Sequence, residues 1–401
     1  MIKVASQVLL RICGLFLYVF SVFTVFIAAA DPLSEQIDLN GFYSLDATYS
    51  NNDQSITGKR PGTTIAGGDE VSLNNSILGA KLSYQTTETL ALTLQGQAFI
   101  DRNDDVSADI NWAYVSYDLS NDNYFRVGLF QTPFLQGTEL RSVGYSRLWA
   151  RPIVLDNGAG GFNEFSGIEY QQSFNQDYGS WQFQVGAGVA EHDLDEVDGK
   201  AMVIITARFQ SESYWVHSAV AHIEYDMAPM GFTERQMSGD VSMFSLESQV
   251  QFKKSQLNFG LSLGDSHGTP SDAMAYFSLA YPLGEFTPYF YYAWHNQEFN
   301  DRLGLNDEAP PRQGPGPFPP PPPHPPMGDV VPQEPPKHRP PVPDGAFDRD
   351  NYALGLRWDI KEGMAVKAHY EIIEQDNRTG VAAPTSAKRS NTLSLSLEGI
   401  F

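Results

Sequence analysis

Cysteine is almost absent from this chain. The single one, Cys13, falls within the first thirty residues, so the rest of the sequence has neither thiol chemistry nor a disulfide to staple it. Long apolar runs are missing too: after residue 30 nothing has the length and hydrophobicity of a membrane-spanning helix. Basic residues are scarce, with 26 Lys and Arg against 48 Asp and Glu. An acidic excess of that size opposes binding to phosphate backbones, which argues against nucleic acid as a partner, and suits cations or acidic loops in water.

The first thirty residues carry Lys3 and Arg11, no acid, and an apolar run from Ile12 that closes on Ala28, Ala29 and Ala30. This layout predicts a secretory signal peptide over residues 1–30. At about 19 residues the run is also long enough for an uncleaved anchor. Cleavage after Ala30 would leave residues 31–401 with no cysteine, and with two fewer basic residues against all 48 acids. A long exported chain without disulfides needs a large core or a closed sheet for stability.

What the sequence does contain is alternation. From Ile37 to Tyr49, Leu39, Tyr43, Leu45, Ala47 and Tyr49 interleave with Asp38, Asn40, Ser44, Asp46 and Thr48; the last stretch sets Leu393, Leu395, Leu397 and Phe401 against Thr392, Ser394, Ser396 and Glu398. Period two over this length means strands with one oily and one wet face. The same pattern recurs near 75–84, 89–100, 109–119, 123–130, 163–173, 180–190, 200–210, 214–225, 241–253, 256–264, 273–281, 286–297, 349–360 and 364–374. With the terminal pair this makes sixteen, an even number as a closed bacterial barrel requires.

Connection lengths alternate as well. Short links near 85–88, 120–122, 175–179, 211–213, 254–255, 282–285 and 361–363 are interleaved with longer ones near 51–74, 101–108, 131–162, 191–199, 226–240, 265–272, 298–348 and 375–388. Transmembrane barrels put short turns on the periplasmic side and long loops outside, so both termini are expected in the periplasm. A soluble β-sandwich would show no such asymmetry, and no repeat of 20–50 residues marks a solenoid. The fold class expected is therefore all-β, a transmembrane antiparallel barrel of about 16 strands. Tyr43, Tyr49, Tyr84, Tyr117, Tyr170, Trp181, Tyr225, Tyr281, Trp358, Tyr370 and Phe401 fall near strand ends. They fit interfacial girdles, or simply the enrichment of aromatics in strands.

Two stretches go further. The closing strand T-L-S-L-S-L-E-G-I-F ends on Phe401; F-R-V-G-L-F-Q-T-P-F from Phe125 to Phe134 leads into E-L-R-S-V-G-Y-S-R-L-W-A-R-P from Glu139 to Pro152. In these the chain resembles the general and phosphate-selective porins of Gram-negative outer membranes. The resemblance implies a C-terminal Phe401 read by the barrel-assembly machinery, a third outer loop (131–162) folded inward to narrow the barrel, a homotrimer, and a setting of outer-membrane lipid and lipopolysaccharide. The chain lacks the phosphate-selective ladder of lumen arginines and lysines, so that specificity is not carried over.

A folded-in loop would place Glu139, Arg141, Arg147, Arg151 and Asp156 at a constriction with Arg126, where charge concentrated in a narrow gap selects by sign. Tyr145 and Trp149 are candidate anchors. The alternative is an external loop whose charges are merely solvated. Strand phase assigns Asp38, Asp46, Lys81, Glu169, Arg208, Glu247, Arg357, Asp359, Lys367, His369, Glu371 and Glu398 to the lumen wall, where a 16-stranded barrel leaves water.

Residues 310–343 hold 17 of the 26 prolines and include the run Pro319 to Pro323, which excludes a strand and predicts a protruding, polyproline-rich outer loop. The acidic stretch from Glu191 to Asp198 either binds a divalent cation or is solvated; its spacing is not that of an EF-hand. His217, His222, His295 and His369 are scattered on strands with no G-x-S-x-G or H-E-x-x-H nearby, so no catalytic residue, metal or cofactor is expected. The function expected is passive, weakly cation-selective diffusion of small hydrophilic solutes. An adhesin or structural barrel, or a barrel phospholipase or protease, are the alternatives.

Overall fold

The computed structural model describes residues 36–401 except 52–55, 58–63, 66–70, 75, 101–104, 152, 154–160, 193–196, 229–236, 268–270, 299–346 and 378–387. The signal segment and the Pro-rich loop lie outside the described residues. Sixteen barrel strands follow in order: β1 (Ile37–Ser50), β2 (Ile77–Gln85), β3 (Leu90–Ile100), β4 (Val106–Ser120), β5 (Asn123–Gln131), β6 (Glu164–Gln176), β7 (Gly179–Glu191) and β8 (Val197–Gln210); then β9 (Tyr214–Met227), β10 (Met237–Phe252), β11 (Ser255–His267), β12 (Ser271–Ala280), β13 (Phe286–Glu298), β14 (Phe347–Lys361), β15 (Met364–Asn377) and β16 (Lys388–Ile400). Each pairs antiparallel with its predecessor, and β16 returns to β1. Lipid offers no hydrogen bonds, so a sheet that closes on itself satisfies every backbone group that an open edge would strand.

The seam joins the two ends of the sequence. Gly41 N donates to Phe401 O at 2.7 Å, and Phe401 N donates back to Gly41 O at 2.9 Å. Both seam glycines are covered by rings: a Cβ on Gly41 would lie 2.3 Å from the ring of Phe401, and one on Gly399 2.6 Å from that of Tyr43. Phe401 thus closes the barrel with its backbone and fills a notch with its ring.

The two faces alternate as the sequence implies. On β1, Ser44, Asp46, Thr48 and Ser50 are buried inward, whereas Tyr49 is exposed outward; on β16, Thr392, Ser394, Ser396 and Glu398 are buried while Leu393 and Leu395 are exposed. Of the candidate girdle aromatics, Tyr225 is misassigned. It is 4% exposed and faces inward, its ring 5.6 Å from that of Phe162. Strict alternation also fails at Asn111 and Trp112, which are consecutive and both buried, because a bulge in β4 opposite Gln95 and Gly96 points two neighbours inward.

Several strands extend past the expected bounds at their outer ends. Asp198 pairs with Asp226, and Asp226 with Ser238. Polar residues occupy both faces there, so backbone pairing continues where no hydrophobic period remains to be read.

Candidate functional site

The long connection between β5 and β6, residues 132–163, turns into the barrel. At its base Thr132 N donates to Asn163 O at 2.8 Å, bringing the two ends of the loop together. The strand feeding it bends sharply: Gly128 has φ +145°, and a Cβ there would sit 2.1 Å from Ala113 O. Gly128 pairs with Gly167, which pairs with Gly188, and a Cβ on either of the last two would meet neighbouring backbone at 2.1 or 2.2 Å. Only glycine fits such an approach, so this row of three marks a line of close backbone contact in the wall beneath the loop.

Once inside, the loop is anchored along its length. Ordering each residue costs about 1–2 kcal/mol in backbone entropy, so a long inward loop needs contacts throughout. The first are apolar. Phe134, Leu135 and Ile153 are buried with Phe130, Phe162, Phe165, Met202, Ile204, Ile223 and Tyr225 in an apolar cluster that runs along the inner wall from β5 to β14. Ser245 Oγ donates to Phe134 O at 2.5 Å, and Gln136 N donates to Glu247 at 2.8 Å. Two 3-10 turns follow, Thr138–Leu140 and Gly144–Ser146.

On the far wall charged groups take over. The Lys367 ammonium donates to Gly144 O at 2.8 Å, Arg147 O at 2.7 Å and Trp149 O at 3.3 Å, and pairs with Glu398 at 2.5 Å. Arg357 donates to Tyr145 O at 3.0 Å and Arg147 O at 2.8 Å, with its guanidinium 4.7 Å from the centre of the Tyr145 ring. Trp149 stands edge-on to Tyr276, Tyr289 and Tyr291 at 6.1–6.5 Å. Arg151 pairs with Glu371 at 2.9 Å, and Glu371 also accepts from Tyr291 at 2.6 Å. Tyr145 and Trp149 therefore hold the anchoring positions expected of them.

The candidate constriction residues divide into two groups. Arg141 and Arg151 are each 2% exposed, so their charges face protein. Arg141 donates to Asn163 at 3.3 Å, and Arg147 donates to Arg141 O. Glu139 keeps more of its side chain in water, at 38% exposure, while meeting Arg126 at 3.3 Å. Arg126 in turn pairs with the fully buried Glu169, its Nε 2.7 Å from the carboxylate. Asp156 lies outside the described residues.

On the wall, Glu247 and Arg357 hold the loop, Asp359 pairs with Arg357 at 2.8 Å, and the half-buried Arg208 donates to Gln210 at 2.7 Å. Near the acidic outer stretch, Lys200 bridges Asp198 and Asp226. His217, His295 and His369 are buried inward; His222 instead lies on the outer face, bonded to Ser242 at 3.0 Å.

The apolar cluster is the part that alternation concealed. Its signal is visible in retrospect: M-V-I-I from Met202 to Ile205 and A-V-A from Ala219 to Ala221 are apolar on both phases, the mark of strands covered on two faces. A second, smaller cluster of Phe42, Ile77 and Phe99 lies inside β1–β3 with Val143 of the loop packed on it, and beside it Leu140 of the loop stays 47% exposed.

No family model matches the chain, and no curated protein matches its sequence. Solved structures do match in shape. An anion-selective porin from Comamonas acidovorans aligns over 91% of this chain and 99% of its own at 12% identity, with a TM-score of 0.57. OmpT, an outer-membrane protein of Vibrio cholerae, aligns over 91% and 97% at 11% identity and 0.56. The outer-membrane channel DcaP of Acinetobacter baumannii aligns over 91% and 97% at 11% identity and 0.54. At such identities the likeness is one of fold. The chain has the fold of the Gram-negative outer-membrane porins, a closed 16-stranded barrel with its third outer loop drawn inside.

Proposed function

We propose that this protein is an outer-membrane porin: a water-filled channel for small hydrophilic solutes, with no bond chemistry. The observation that carries the reading is the third loop, held across the lumen by the Lys367 clamp and the Arg151–Glu371 pair, with a gap of about 360 Å³ beside Leu140 and Trp112. An inward loop narrows a lumen, which a purely structural barrel does not require. Charge at such a gap selects by sign, and Glu139 is the group we assign to a weak cation preference. Arg126 sets its position, and Arg141, Arg147 and Arg151 hold the loop. The porin likeness also supports a homotrimer in outer-membrane lipid. Planar-bilayer recording tests the proposal. Stepwise ohmic conductance is expected; a barrel that inserts and stays silent, or hydrolase activity lost with one Ser or His, overturns it.

A further inference from the structure

Between the third loop and strands β1–β4 lies a cavity of about 360 Å³, lined among others by Phe42, Lys81, Gln95, Trp112, Leu140 and Val143. That volume falls in the range of roughly 300–1,000 Å³ usual for small-molecule sites. Its walls are unlike those of a plain water passage. Phe42 and Trp112 come from the barrel and Leu140 and Val143 from the loop; Val143 packs on the cluster of Phe42, Ile77 and Phe99, which leaves Leu140 as the bare apolar side chain of the gap. Leu140 stays 47% exposed here although the same loop buries Phe134 and Leu135 completely. Bare apolar surface costs about 25 cal/mol per Å² against burial, a cost an apolar solute would remove.

The one cation in this lining, Lys81, differs from the four that hold the loop and its flank. Arg126, Arg151, Arg357 and Lys367 each meet a carboxylate. Among the described residues no carboxylate pairs with Lys81, whose ammonium stands 5.2 Å from the centre of the Trp112 ring. Trp112 is 8% exposed, and its Nε1 is a buried donor with no acceptor. An uncompensated ammonium beside an unused indole N–H and the bare side chain of Leu140 is complementary to a flat apolar body bearing one negative charge.

Resting on the porin reading above, we infer that this cavity is a binding subsite for aromatic monocarboxylates. The ring lies between Leu140 of the loop and Trp112 of the barrel, and the carboxylate lies on Lys81. A ring stacked on Trp112 gains beyond its area, and an ammonium–carboxylate hydrogen bond in a partly dehydrated gap is stronger than a neutral one.

The test uses the intact barrel in planar bilayers in KCl, with benzoate, acetate and benzylammonium as probes, and equilibrium dialysis of benzoate against the same protein in micelles. Benzoate is expected to interrupt the current at a half-effect concentration at least roughly tenfold below the other two: below benzylammonium because of the charge-assisted contact to Lys81, below acetate because of the buried ring. Lys81→Gln should abolish the advantage over benzylammonium and Lys81→Arg should keep most of it. Trp112→Ala should bring benzoate to the level of acetate, with retained KCl conductance showing that the barrel is folded. Benzoate no better than acetate, benzylammonium equal to benzoate, or Lys81→Gln without effect overturns the subsite. Saturable, Lys81-dependent benzoate binding in micelles with no KCl current sustains the subsite and overturns the porin reading. Normal KCl current with no benzoate effect or binding does the reverse.

Discussion

Single residues hold the third loop, and they do so with charges taken out of water. Lys367 and Glu398 are both fully buried, and the ammonium is satisfied by three loop carbonyls besides the carboxylate. Removing one member of a buried pair leaves the other uncompensated, at a cost of about 3–5 kcal/mol. Lys367→Met should therefore lower the unfolding midpoint of the refolded barrel, followed by the heat-modifiable band on a gel, by more than Lys367→Met combined with Glu398→Gln. Equal effects would show that the carboxylate is not stranded. Gly167 is a second sensitive point, since a Cβ would stand 2.1 Å from Ala187 O. Gly167→Ala should destabilise by at least the 1–3 kcal/mol or so typical of overpacking, whereas Gly137→Ala, with open space around it, should be nearly neutral in the same assay.

At the scale of elements, the closing strand shows what a pattern discloses and what it hides. Alternation from Thr392 to Phe401 announces a strand with one lipid face. That β16 pairs with β1, with Leu45 opposite Leu397 and Asp46 opposite Ser396, is a matter of register settled three hundred residues away. Deleting Phe401 removes both backbone bonds to Gly41 and uncovers that glycine, so it should slow assembly and reduce the amount of folded barrel while leaving the conductance of assembled channels unchanged. Normal abundance and rate of appearance in the outer membrane would refute this. Register likewise explains Tyr225 and Trp112: a tyrosine at a strand end reads as a girdle residue until its face is known, and one extra residue in β4 reverses the phase on either side of it.

At the scale of the whole molecule, the acidic excess of 48 against 26 becomes a statement about the gap. Among the described residues most inward cations are spent on carboxylates or loop carbonyls, and we assign the bias on small ions to Glu139, opposed by the unpaired Lys81. A reversal potential in a KCl gradient should show weak cation preference, reduced by Glu139→Gln. It should also fall with salt, as the Debye length shortens from about 10 Å at 0.1 M to about 3 Å at 1 M. Clear anion preference in the native protein would sink the assignment. The Pro-rich stretch lies outside the described residues, and its composition predicts an outer loop. Deleting residues 310–343 should leave folding and single-channel conductance nearly unchanged, because loop closure entropy changes by only about 0.6 kcal/mol per doubling of length. A severalfold change in conductance would show that the stretch reaches the pore.

The sequence alone determined the strands, their number, the alternation of short and long links, and which charged residues face inward, since each of these is a local pattern of period two or of length. Tertiary structure alone decided how the inward residues are used. Nothing in the spacing of Lys367, Glu398, Arg151 and Glu371 foretells that they meet, because strands far apart in sequence become neighbours only when the sheet closes. The same holds for the loop arginines, whose composition reads as a charged gate. Their burial became visible only once the loop was seen to pack against the wall, where a desolvated cation must find a carboxylate or a carbonyl and ceases to face the solute.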